Sequence, residues 1–166
     1  MGESIVELKA RMQNPALMYP DAMEALQAVS RAAHGHGIAP ATLELIHARV
    51  SQINGCAVCL AMHAQALKQS GTSDERLTAI AAWRETTYFT PAERAALALA
   101  EAATRLSDRS DPVPDEVWNE AARHYDEAAL GALVISIAAI NAWNRINVTT
   151  RQIAGSIPAS ATAHRR

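Results

Sequence analysis

Aromatic side chains are scarce in this chain of 166 residues, which has one Phe, three Tyr and three Trp. With the main strand formers so thinly supplied, a β-rich fold is not expected. Charge of one sign is lacking as well. Fifteen Lys+Arg stand against seventeen Asp+Glu, a net charge of -2, and there is no basic patch of the kind that neutralises phosphates, so nucleic acid is not an expected partner. The start of the chain carries Glu3, Glu7, Lys9 and Arg11 and so lacks an apolar signal core. Val6 stands where N-myristoylation needs Ser or Thr. Long hydrophobic runs are missing too. The longest, 128–140, is thirteen residues and includes Gly131 and Ser136, short of the roughly 20 residues that cross a bilayer. It reads as a buried helix, and the expectation is a cytoplasmic protein with no membrane association.

What the chain has is alanine, 36 residues or about 22% of the whole, within a composition that is 49% hydrophobic. Alanine loses no rotamer freedom in a helix, and a chain of this length can bury a core of its own. A single-domain all-α fold follows, a helix bundle. The expected organisation is an N-terminal segment over 1–20, a helical domain over 21–150 and a flexible tail over 151–166.

Local signals punctuate that domain. Asp21 can cap a helix that ends at His34-Gly35-His36-Gly37, and Pro40 opens another that ends at Asn54-Gly55. In the latter, Leu43, Ile46, Val50 and Ile53 recur at steps of three and four and mark its apolar face. A helix from Cys56 to about Ser70 is closed by Gly71, and Thr72 or Ser73 starts the next. Thr90-Pro91-Ala92-Glu93 is a capping box with Pro at the first helical position, ahead of a helix to about Leu106. A short helix around Val117 and Trp118 and a long one from about Glu127 to Val148 complete the set.

The thiol complement is Cys56 and Cys59 alone. Structural disulfides normally join distant segments in an oxidising compartment, so this C-x-x-C reads as redox or metal chemistry. On its helix Cys56, Cys59, Leu60, His63 and Leu67 fall on one stripe, which places both thiols and an imidazole along a face that a helix usually buries. A thiol attacks as its thiolate, and two devices favour that form: the helix N-terminus beside Cys56, and His63 as a base one turn from Cys59. Glu44 falls with His47, Ala48 and Ser51, away from the apolar stripe of its helix, so periodicity places it in solvent. His34, His36, His47 and His124 have no partner that the sequence identifies.

Glu44, Cys56, Cys59 and His63, with eleven, two and three residues between them and with Ser51 and Asn54-Gly55 ahead of the first thiol, resemble the signature of the alkyl hydroperoxidase D (AhpD) family, within the carboxymuconolactone decarboxylase-like superfamily. Asn141-Ala142-Trp143-Asn144-Arg145 is similar to the closing helix of many members, so the resemblance spans roughly residues 21–150. It implies a thiol-dependent peroxidase or disulfide reductase without bound cofactor or metal. In that scheme Glu44, His63 and a water relay the proton of Cys59, which attacks the peroxide. Cys56 then resolves the sulfenic acid as a Cys56–Cys59 disulfide, and an external dithiol or lipoyl-bearing protein reopens it. The resemblance also implies a homo-oligomer, a trimer or hexamer. The sequence departs from some members at Val58, where they carry His or Tyr and where no proton can be relayed here. Two other readings stand beside the peroxidase: a non-catalytic zinc-binding or redox-sensing module held by Cys56, Cys59, His63 and Glu44, and an oligomeric scaffold with vestigial thiols.

Overall fold

A computed structural model describes residues 8–155. The residues at 1–7 and 156–166, on which the readings of the N-terminal start and of most of the C-terminal tail fall, lie outside the described residues. Among the described residues the regular structure is entirely helical. The helices are α1 (Pro15–Met18), α2 (Pro20–Ala32), α3 (Pro40–Asn54), α4 (Ala57–Gln69), α5 (Asp74–Ala79), α6 (Pro91–Thr104), α7 (Asp115–His124) and α8 (Glu127–Thr149), with a 3₁₀ segment Ile80–Glu85 after α5.

Proline and short polar side chains set most of the starts, as their chemistry requires. Pro40 and Pro91 occupy first helical positions, where the missing N–H costs nothing. Thr90 Oγ1 accepts from Glu93 N–H while Glu93 Oε2 accepts from Thr90 N–H, closing the capping box. Ser73 and Asp126 cap α5 and α8 with a single bond each, their side chains accepting from the N–H of Arg76 and Ala129. The start of α2 differs from expectation. Pro20 rather than Asp21 begins it, and a single turn, α1, precedes it with Asn14 as its cap.

α3 lies in the middle, in contact with α4, α6 and α8. Leu43, Leu45, Ile46, Ala48, Val50 and Ser51 are all buried, so this helix is covered on more than one face. One cluster of apolar side chains joins α3, α4, α6 and α8, and contains Cys56, Val58 and Cys59. A smaller one gathers Leu45, Leu67, Ile80, Trp83, Phe89 and Leu97. Buried alanines at 95, 96, 100, 129 and 132 line the helix contacts and let the backbones approach closely. Removing a large side chain from such packing, Leu43 or Leu133 for example, costs about 2–5 kcal/mol.

The run at 128–140 belongs to α8, a helix of 23 residues. By length and composition it could cross a membrane, yet 56% of its apolar window is buried inside the domain. Four of its polar residues face inward: Ser136, Asn141, Asn144 and Asn147 are each buried. The segment before α1 straps across its end. Arg11 N–H donates to the Thr150 carbonyl at 2.9 Å, and Gln152 Nε2 donates to the Met12 carbonyl at 3.0 Å.

Candidate functional site

The turn between α3 and α4 creates the site. Gly55 takes φ 69°, a left-handed conformation that glycine adopts without a side-chain clash. Two reversed bonds close α3 there: Gly55 N–H to the Gln52 carbonyl at 3.3 Å and Cys56 N–H to the Ser51 carbonyl at 2.9 Å. Cys56, the next residue, is therefore the cap of α4, and its Sγ accepts from Cys59 N–H at 3.3 Å. Spacing of three residues puts both sulfurs on one side of the first turn. They are joined as a disulfide with a Cα–Cα distance of 5.4 Å, and Cys56 and Cys59 are 2% and 3% exposed.

One turn farther along α4, His63 meets Glu44 of α3, with Nδ1 and Oε2 2.7 Å apart. A carboxylate only accepts, so Nδ1 carries the proton and Nε2 is left as the basic nitrogen of the ring. Glu44 is not in bulk solvent as periodicity expected. Its side chain is 27% exposed and that of His63 12%, because α4 covers the flank of α3 that a helix with one buried face would leave open. His47 also belongs here. Its ring centroid lies 4.7 Å from that of His63, and its Nε2 is 2.6 Å from Ser136 Oγ on α8. The partner that the sequence did not reveal for His47 comes from 89 residues away. His124 has one too, Glu120 on its own helix at 3.2 Å.

α8 fastens the turn from the other side. Asn54 Nδ2 donates to Oδ1 of both Asn141 and Asn144 at 3.0 Å, and Asn144 Nδ2 donates to Ser51 Oγ at 3.1 Å. Asn147 Nδ2 lies 3.2 Å from Cys59 Sγ. Sequence reasoning passed over Asn147, although a signal was present: Asn141, Asn144 and Asn147 recur at steps of three on a helix that is otherwise nearly all apolar. Val58, where no proton relay was expected, is buried in the core.

Glu44, His47 and His63 each offer a ligand atom within 4.8 Å of the others. Two imidazoles and a carboxylate suit a divalent transition metal. The set differs from the one expected for zinc, since sulfurs bonded to each other supply no thiolate. Two clefts of about 350 and 310 Å³ lie around α6 and are lined by none of Glu44, Cys56, Cys59 and His63. Of these four residues Glu44 and His63 are the more exposed, and the two sulfurs are buried.

The chain is similar to known proteins over most of its length. The model of the carboxymuconolactone decarboxylase family matches residues 20–102, which contain Glu44, both thiols and His63. YdfG, an uncharacterized protein of Bacillus subtilis, is 36% identical over 137 residues, 82% of this chain and 92% of its own. A protein of unknown function from Agrobacterium tumefaciens, provisionally named as the antioxidant defence protein AhpD, has a solved structure with a TM-score of 0.81 and 32% identity, covering 88% of this chain and 98% of that one. The debrominase Bmp8 shares the fold, with a TM-score of 0.75 at 23% identity over 89% of this chain and 77% of its own.

Proposed function

The chain belongs to the carboxymuconolactone decarboxylase family and has the all-α fold of its AhpD-like relatives, and on that premise we propose that it is a thiol-dependent peroxidase that cycles through the Cys56–Cys59 disulfide. The observation that carries this reading is the pairing of a buried C-x-x-C at a helix start with a Glu44–His63 hydrogen bond one turn away. A buried thiol is a poor nucleophile until it is ionised, and the site supplies a base within a turn and a carboxylate to orient that base.

The cycle balances as follows. His63, oriented by Glu44, takes the Cys59 proton directly or through a water. The Cys59 thiolate attacks one peroxide oxygen, the O–O bond breaks, and sulfur gives two electrons; the alkoxide leaves as the alcohol with the proton from His63. Cys59 is now a sulfenic acid. The Cys56 sulfur attacks it, the S–O bond breaks, and hydroxide departs as water with the Cys56 proton. The product is the Cys56–Cys59 disulfide. An external dithiol, free or carried on a lipoyl-bearing protein, restores both thiols by exchange and becomes a disulfide itself. A homo-oligomer working in the cytoplasm is part of the same proposal.

Mass spectrometry of the 56–59 peptide, reduced and then treated with one equivalent of organic hydroperoxide, tests the reading. A loss of two hydrogens in wild type, and no peroxide consumption with a dithiol in Cys59→Ser, are expected. Full turnover in Cys59→Ser overturns it. Stoichiometric zinc in the purified protein, retained after oxidation of the thiols and lost in His47→Ala, would favour the metal-holding reading that the Glu44, His47 and His63 cluster supports.

A further inference from the structure

Hydrogen-bond logic at the end of α8 fixes the orientation of an amide that touches a reacting atom. Asn14 Oδ1 accepts from the backbone N–H of Ala16 at 2.9 Å. A backbone N–H only donates, so the oxygen of Asn14 must face it and the Asn14 amino group must point the other way. That group donates to Asn147 Oδ1 at 2.8 Å. Asn147 is thereby oriented as well, and its own amino group lies 3.2 Å from Cys59 Sγ. Asn147 is 7% exposed, so water offers that sulfur little competition.

We propose that Asn147 is a catalytic hydrogen-bond donor to the Cys59 sulfur, and that Asn14, acting through it, is a positioning residue. A neutral sulfur is a weak acceptor and a thiolate a strong one, so the bond from Asn147 strengthens when Cys59 ionises. Cys56 Sγ has a different donor, the Cys59 backbone N–H, so the Asn147 amide serves Cys59. The same bond acts in the reductive half of the cycle. An attacking dithiol that bonds to Cys56 expels Cys59 as the thiolate, and a stabilised thiolate leaves faster. The strap that carries Asn14 is 133 residues from Asn147 in sequence and is tied to the end of α8, so its docking completes the sulfur site. The inference rests on the peroxidase reading for its use, though not for its measurement.

The strap also carries Arg11, whose Nη1 donates to the Thr149 carbonyl at 2.9 Å. α3 brings Glu44 and His47 to the site and α4 brings His63. On α8, Arg145 is exposed and turned to Asn141. α5 meets α4 at its far end, where Asp74 pairs with Lys68.

The test is the pH dependence of Cys59 alkylation by iodoacetamide in a Cys56→Ser background, in which the disulfide cannot form. Asn147→Leu is expected to raise the midpoint by about one pH unit, a tenfold fall in thiolate fraction at pH below it. Asn147→Asp keeps the size and the acceptor for Asn14 but faces the sulfur with a carboxylate oxygen, and is expected to raise it further. Asn14→Ala, which leaves the Asn147 amide in place but unoriented, is expected to move it in the same direction by less, and it decides the matter should the Asn147 variants fold poorly. A midpoint unchanged within 0.2 pH unit, a precision on the order of normal titration scatter, in Asn147→Asp or, if that variant does not fold, in Asn14→Ala overturns the proposal. Failure of the peroxidase reading looks different: wild-type Cys59 would resist hydroperoxide while the midpoint still moved among the variants.

Discussion

Glu44 and His63, nineteen residues apart in sequence, meet across the α3–α4 contact with Oε2 2.7 Å from Nδ1. That bond leaves Nε2 as the basic nitrogen, and in the proposed cycle it gives the imidazolium a carboxylate partner. Glu44→Gln keeps a side chain of the same size and removes the charge. Its kcat/KM for hydroperoxide is expected to fall about 10²-fold, the usual scale of one acid–base group, with the thermal midpoint nearly unchanged because the side chain is partly exposed. A steady-state assay with dithiol in excess measures it, and a loss of less than twofold would remove Glu44 from the relay.

The order of the two thiols makes a separate prediction. With Cys56 replaced by Ser, Cys59 can still attack but nothing nearby can resolve it. One equivalent of hydroperoxide should leave a sulfenic acid on Cys59 that dimedone traps as a single adduct. With Cys59 replaced instead, Cys56 lacks both Asn147 and the nearer base, and no adduct should form. An adduct on Cys56 of comparable yield would reverse the roles.

Much of the fold was legible because its signals are local. Pro40, Asn54-Gly55, Ser73 and Thr90-Pro91-Ala92-Glu93 each act within a few residues, and each marks a helix end in the structure. The stripe of Cys56, Cys59 and His63 was readable for the same reason, since one helix carries all three. Glu44 was misplaced by periodicity because that reasoning grants a helix one buried face, whereas α3 sits between α4, α6 and α8. His47 with Ser136 and Asn14 with Asn147 are pairs made only by chain topology, 89 and 133 residues apart. No spacing rule in a single sequence reaches that far.

Gly55 offers a test of the turn itself. A Cβ added there meets no atom within 4 Å, so the cost of Gly55→Ala is conformational and comes from holding an L side chain at φ 69°. About 1 kcal/mol of stability should be lost, and less in Gly55→Asn, since Asn tolerates this region better. Urea unfolding of the three proteins checks the order. Equal stability of Gly55→Ala and wild type would mean that the cap of α3 relaxes to another geometry.

Behind the site, Glu101 ties α3, α6 and the 3₁₀ segment together. Its side chain accepts from Arg49 Nε at 2.7 Å, Trp83 Nε1 at 3.0 Å and Arg84 Nη1 at 2.5 Å, and the residue is 4% exposed. Burial by itself would raise its pKa, but the bonds from Arg84, Trp83 and Arg49 and the Arg49 charge outweigh it, and the carboxyl is held below the ordinary 4.5. A group depressed in the folded state contributes stability that is complete above its unfolded value and is lost as pH falls through the folded one. The protein should therefore weaken below about pH 4.5, and Glu101→Gln should both lose about 3 kcal/mol at neutral pH, as removal of one buried partner does, and lose part of that acid slope. Urea midpoints measured from pH 7 downward give both quantities. Parallel curves for the two proteins would show that another carboxylate governs the acid limb, because a glutamine at this position has no proton to gain.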